Sequence, residues 1–302
     1  MSAQVLPSSV DLLVRPMRSA DVAETEQLSA DAFLVLERSL ATPRDPEPQR
    51  RTPGRAQAWI ERTSSICERD AAGCWVAERD GALVGVATSF RRETTWFLAT
   101  YAVRPDQQGQ GIGAALLKAA MGHARGCLRA MLSASADPRA ARHYRLAGFD
   151  LHPQMSLSGT ITLDQAPSIR HVRAGASGDQ WWMDSLDRLA RGAARGCDHD
   201  LLRAHHRLRV VEHNTGRGYV YTHPDGSVAA LAASNRRTAA RLLWHTFADC
   251  PTSQTTLSHV TAANQWAIEV GMAAGLSLRT DGYLGLRGLK PPTPYLHHGA
   301  LL

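Results

Sequence analysis

The chain has 302 residues, 44% hydrophobic and 21% charged, which is ordinary globular composition at about twice the length of one domain. Its net charge of +6 comes without a block of five or more basic residues, so no nucleic-acid patch is expected, and no apolar run of about 18 residues would span a membrane. Met1 to Val10 carries no charge and lacks the basic-then-apolar order of a leader, and Cys67, Cys74, Cys127, Cys197 and Cys250 stand singly; a soluble, cytoplasmic protein, monomer or homodimer, without disulfides or bound metal is expected.

An opening strand, Leu12 to Arg15, stops at Pro16, and Ser19 starts a helix whose apolar side is Val22, Leu28, Phe33 and Leu36. Pro43, Pro46, Pro48 and Pro53 make the next stretch a loop, after which a helix covers 55–69. Strands 74–78 and 82–90 flank Arg79-Asp80-Gly81 as a hairpin. A strand over 95–103 leads through a glycine-rich turn into a helix over 111–125. A strand at 128–135, a helix at 138–147 and extended chain over 149–161 follow.

A second unit opens at Ser168, with Ile169-Arg170 taken as its first strand. A helix follows from Asp179 to Ala194, then a polar, histidine-rich stretch. Strands near 219–222 and 228–233, a helix over 236–247, a strand over 255–260 and a helix over 264–274 come next, and a hairpin at Asp281-Gly282 closes the unit. The last elements repeat the order of the first unit. The fold expected is therefore α/β with a mixed sheet, in two tandem domains at 1–160 and 161–302.

The sharpest local signal is Val103-Arg104-Pro105-Asp106-Gln107-Gln108-Gly109-Gln110-Gly111-Ile112-Gly113-Ala114. It places glycines at a helix N-terminus, where unpaired amides and the positive end of the dipole favour a phosphate. A P-loop would need Lys-Ser or Lys-Thr after the last glycine, where Ala114-Ala115 stands. Gly109, Gly111 and Ala114 satisfy a dinucleotide-binding G-x-G-x-x-A, but that turn follows its strand at once and requires an acidic residue about 20 positions on. Here five residues separate Val103 from Gly109, and Arg129 to Ala136 holds no carboxylate.

Gln108-Gly109-Gln110-Gly111-Ile112-Gly113 resembles the Q/R-x-x-G-x-G/A signature of the GCN5-related N-acetyltransferases, the GNAT superfamily. Further along, Asp137, Ala140, Tyr144, Gly148 and Phe149 resemble the family's N-x-x-A-x-x-x-Y-x-x-x-G-F, with Asp137 in place of asparagine. The resemblance implies splayed strands, each domain being a splayed mixed sheet flanked by helices. It implies that acetyl-CoA is held by the backbone of Tyr101, Ala102 and Val103, by Gln108 to Ala114, and by the segment carrying Asp137, Ala140 and Tyr144. Pantetheine would lie along the Tyr101–Val103 edge like an added strand, and Tyr144 would be the acid that protonates the departing thiolate. No ionisable side chain lies between Trp96 and Thr100, so Glu93, flanked by Arg91 and Arg92, is the nearest candidate base, reaching through a water, although its setting fits a solvated hairpin residue better.

In the second unit Ser234-Asn235-Arg236-Arg237 replaces the glycine turn, and Asn264, Ala267, Gly271, Gly275 and Leu276 repeat the second motif with glycine in place of tyrosine. A degenerate repeat is expected, with acetyl-CoA bound by the first unit alone. Ten of the 13 histidines lie from His171 onward, but Cys197, His199, His205 and His206 match no zinc spacing. Trp181-Trp182 reads as core, and Pro291 to Leu296 as a strap along the surface. The activity implied is transfer of acetyl from acetyl-CoA to a small-molecule amine, against a catalytically silent acyl-CoA binder or a protein or peptide acetyltransferase.

Overall fold

The computed structural model describes residues 12–43 and 47–302, so the reading of Met1 to Val10 falls outside it. The chain forms two compact units, Met1–Phe90 with Thr100–Arg125, and Arg91–Ala99 with Gly126–Leu302.

The first unit contains β1 (Leu13–Pro16), α1 (Val22–Leu40), α2 (Pro53–Arg69), β2 (Cys74–Arg79), most of β3 (Ala82–Arg92), the end of β4 (Thr95–Val103) and α3 (Ile112–Met121). β1, β2 and β3 pair antiparallel, and Asp80 and Gly81, both at positive φ, make the tight turn between the last two. Residues 83–90 of β3 are buried. Ile112, Leu116, Leu117 and Ala120 form the core side of α3, which lies close over β3 because Gly85 has no Cβ; one there would meet Leu116 Cδ1 at 2.7 Å.

The second unit starts with β5 (Arg129–Ala134), α4 (Pro138–Leu146), β6 (Asp150–Thr160), β7 (Val172–Ala174), α5 (Gln180–Arg191) and α6 (Asp198–His205). It continues with β8 (Arg207–His213), β9 (Gly216–Thr222), β10 (Val228–Ala233), α7 (Arg236–Ala248), β11 (Gln254–Thr261), α8 (Gln265–Ala273), β12 (Ser277–Arg287) and β13 (Tyr295–Leu296). The start of β4 pairs parallel with β5 from Thr95↔Arg129 to Leu98↔Leu132, while β5–β12, β12–β6 and β6–β11 are antiparallel, giving a mixed sheet. A second, antiparallel sheet runs β13-β10-β9-β8-β7.

These pairings explain why the compact units do not divide at residue 160. β12 inserts between β5 and β6, and β6 in turn lies between β12 and β11. Each half of the sequence thus supplies a strand to the other. A chain ending at Thr160 would leave β5 and β6 without their common neighbour, and it is expected to aggregate or stay unfolded by circular dichroism and size-exclusion chromatography. A monomeric, cooperatively melting 1–160 fragment would contradict this.

The same arginine–carboxylate pairing occurs in both halves, around partly buried Arg15 and around exposed Arg173. Arg15 donates to Asp21 at 2.7 and 3.0 Å and to Glu78 at 2.9 Å, while Asp21 also accepts from Arg18 N at 2.7 Å. In the second half Arg173 donates to Asp179 at 2.8 and 2.6 Å and to Glu212 at 3.2 Å, while Asp179 accepts from Ala176 N at 2.8 Å. The opening strand of the second half is therefore Val172–Ala174, not Ile169-Arg170.

Five other expectations change. The histidine-rich stretch is α6 and β8. α5 ends at Arg191 because Gly192, at φ 78°, terminates it. Asp281-Gly282 is no hairpin but a bulge inside the single strand β12, where the register shifts between Thr280 and Tyr283. The strap is not on the surface: Tyr295 and Leu296 are buried as β13 against β10. Of the tryptophan pair, Trp182 is core, whereas Trp181 is exposed beneath the Arg217 guanidinium.

Candidate functional site

In the first unit, β4 ends at Val103, and Arg104 N donates to Val84 O at 2.9 Å, holding that end to β3. Gln108 turns back and donates through Nε2 to Val103 O at 3.0 Å. Gly109 and Gly111 then take φ of 79° and 80°, and a Cβ on either would meet nothing within 4 Å. The backbone angle, not crowding, requires glycine at both.

Gly111 caps α3 without a side chain, and the first helical bond runs from Ala115 N to Gly111 O. The amides of Ile112, Gly113 and Ala114 therefore have no partner within the helix, and no acidic residue occupies its first turn. Arg79, at the end of β2, donates to Gln107 Oε1 at 2.7 Å and to Gln110 Oε1, bracing the turn and adding a positive charge to it. Its role was not visible in the sequence, where it stood only as a hairpin residue. Bare amides, a helix N-terminus and a guanidinium suit a pyrophosphate, so these residues fit coenzyme A. Gly111→Glu combines a strained φ with repulsion and is expected to weaken acetyl-CoA binding at least about 100-fold by calorimetry; unchanged affinity would contradict the assignment.

In the second unit, Asp137 caps α4 by accepting from Arg139 N at 2.8 Å. Ala140 is half-buried, and Tyr144 is buried one turn further on. Gly148, at φ 86°, ends the helix. Glu93 sits at φ 50° in the β3–β4 turn, and its carboxylate accepts from Arg188 Nε at 2.8 Å. Tyr101 is half-buried, and Ala102 and Val103 are buried on β4.

The matching sequence segments of the second half carry different groups. Asn235 caps α7 by accepting from Thr238 N at 2.9 Å, so a side chain satisfies the helix start that Gly111 leaves open in the first half. Gly271, at the tyrosine position, makes room for Leu157 of β6, whose Cδ2 would lie 2.7 Å from a Cβ there.

His199 does not join Cys197 or His205. Its Nε2 lies 3.5 Å from both Asp184 and Asp187, three ligand-type groups within 4.8 Å of one another. Buried Arg195, whose Nε is 3.4 Å from Asp187, already supplies positive charge, and Asp187 accepts from Tyr219 at 2.6 Å. The cluster is an ion network inside the second half. The same half grips the start of β4: Arg92 pairs with Asp198 at 2.6 Å, Thr95 donates to Gly192 O at 3.1 Å, and Arg191 lies 4.1 Å from the Phe97 ring centroid.

His259 of β11 and His297 meet at Gln154 Oε1, at 2.9 and 3.2 Å, with their rings stacked. Burial pushes His259 from its ordinary 6.5 down to about 4, against a smaller upward pull from Asp281. Because the folded chain resists this proton, the unfolded chain binds more of it between those values, and stability present above pH 6.5 is lost as pH falls toward 4. The expected slope is up to about 1.4 kcal/mol per pH unit, and His259→Gln should flatten it in urea titrations. An unchanged slope would remove His259 as its source.

The glycine-built start of α3 leaves a helix N-terminus open to an anion. Residues 35–149 match the model of the Acetyltransferase (GNAT) family, whose members take their acetyl group from acetyl-CoA. The whole chain is similar in fold to a putative acetyltransferase from Pyrococcus horikoshii, with TM-score 0.73, 18% identity, and 100% of this chain and 98% of that one covered. A tandem GNAT protein from the clavulanic acid biosynthesis pathway gives TM-score 0.58 at 15% identity over 92% of this chain and 98% of that one. A GCN5-related N-acetyltransferase from Sphaerobacter thermophilus gives 0.58 at 17% over 91% and 95%. No curated protein matches the chain. Among the described residues, no helix is long and apolar enough to cross a membrane.

Proposed function

We propose that the protein transfers acetyl from acetyl-CoA to a primary amine of a small molecule, by direct attack of the amine on the thioester, with the chemistry carried by the first of two GNAT repeats, 1–160 and 161–302. The single observation that carries this reading is the contrast between the two helix starts. α3 begins with bare amides behind Gly109 and Gly111, whereas α7 begins with its amide bonded to Asn235.

Acetyl-CoA supplies the activated acyl group. The turn from Gln108 to Ala114, with Arg79 beside it, holds the pyrophosphate. The backbone of Tyr101, Ala102 and Val103 orients the pantetheine and polarises the thioester carbonyl, and Asp137 and Ala140 shape the start of α4 that carries Tyr144. Tyr144 donates its phenolic proton to the departing thiolate. Glu93 remains the candidate base, but its ion pair with Arg188 favours an amine that arrives neutral or loses its proton to water. Incubation with acetyl-CoA and a panel of diamines, amino acids, amino sugars and aminoglycosides, following free thiol, tests the reading. Thiol release that depends on one of these amines supports it. Release only with peptide amines would favour a peptide acetyltransferase, and none at all a silent binder.

A further inference from the structure

The edge of β10 that faces β11 is covered by the chain itself. β13 pairs with it antiparallel, Leu231 opposite Leu296 and Ala232 opposite Tyr295, and Ala233 N donates to Pro294 O at 3.3 Å. Asn264 clamps the segment twice: its Nδ2 donates to Pro292 O at 3.0 Å, and its Oδ1 accepts from Tyr295 N at 3.1 Å. On the other side His297 stacks on His259 of β11. The side chains are anchored as well. Leu296 lies in the core with Leu231, Leu257, Val260 and Trp266, and the Tyr295 hydroxyl accepts from Arg195 at 2.6 Å.

In element order β10 is the second repeat's counterpart of β4, β11 that of β5, and Asn264 stands where the first repeat has Asp137. The segment thus runs along the strand edge that, in the first repeat, is assigned to pantetheine. Pantetheine is an extended chain with two amide groups, so a peptide in β conformation can make the same edge hydrogen bonds. We propose that residues Pro292–His298 occupy the second repeat's acyl-CoA cleft from within, so that this repeat is closed to the cofactor by its own chain and the protein takes one equivalent. The inference rests on reading the second half as a GNAT repeat.

The test uses the full chain, hydrogen–deuterium exchange over 228–233 and 290–299, and calorimetry with coenzyme A. In the wild type, saturating coenzyme A should bind as one equivalent and leave exchange in both segments unchanged. Asn264→Ala removes both clamps and should speed exchange at 292–298 about tenfold or more, and millimolar pantetheine should then slow exchange at 228–233. Two equivalents in the wild type, or a change at 228–233 on adding coenzyme A, would overturn the proposal. A segment released in Asn264→Ala with no pantetheine protection at β10 would instead overturn the repeat reading on which it rests. Thermal melts verify that the variant is folded, and if it is not, the wild-type measurement decides alone.

Discussion

Tyr144→Phe is expected to lower kcat by about 10²- to 10⁴-fold with acetyl-CoA affinity nearly unchanged, because the phenol alone is removed and the ring still fills its buried place on α4. Single-turnover kinetics separate this loss from product release. A tyrosine serving only the core would show the reverse: wild-type turnover with a lower melting temperature. Full activity in Tyr144→Phe would take this residue out of the mechanism.

The second large effect is on stability. Asp187 is fully buried, as are Arg191 and Arg195. Burial pushes the Asp187 carboxyl upward, but Arg195, His199 and Arg191 outweigh it and hold the group below its ordinary range. Asp187→Ala strands the Arg191 and Arg195 guanidinium groups and the Tyr219 hydroxyl, and should cost about 3–5 kcal/mol in urea unfolding. Since the folded carboxyl titrates below 3.8, the pair's contribution is present above that pH and is lost as pH falls through the folded value. A loss under 1 kcal/mol in Asp187→Ala would show that the cations relax into water instead.

Most helices and strands were legible in the sequence because their signals are local. Pro16 stops a strand, Asp80-Gly81 makes a turn, and Asp137 and Asn235 cap helices where they stand in the chain. The glycine turn proposed to hold the pyrophosphate was legible as a turn and helix start for the same reason, since its glycines and its helix lie within a dozen residues. What was missed depends on partners distant in sequence. The exchange of β6 and β12 is set by pairings such as Leu286↔Asp150, for which neither strand carries a local mark. Arg79 belongs to the turn through contacts with Gln107 and Gln110, about thirty positions on. The strap seemed to belong on the surface because its prolines dominate its composition, yet Asn264 and β10 bury it. One miss was avoidable: Val14-Arg15 with Ser19 and Asp21 recurs in identical spacing as Val172-Arg173 with Ser177 and Asp179, which puts the matching strand three residues later than Ile169-Arg170.

The most direct test of acetyl transfer by the first repeat is a mass-spectrometric assay for the acetylated amine, run in parallel on the wild type and on Gly111→Glu. The wild type should convert the amine in proportion to the thiol it releases from acetyl-CoA, while folded Gly111→Glu should form no product above the uncatalysed rate. Equal product from the two proteins, or none from the wild type across the amine panel, would contradict the assignment.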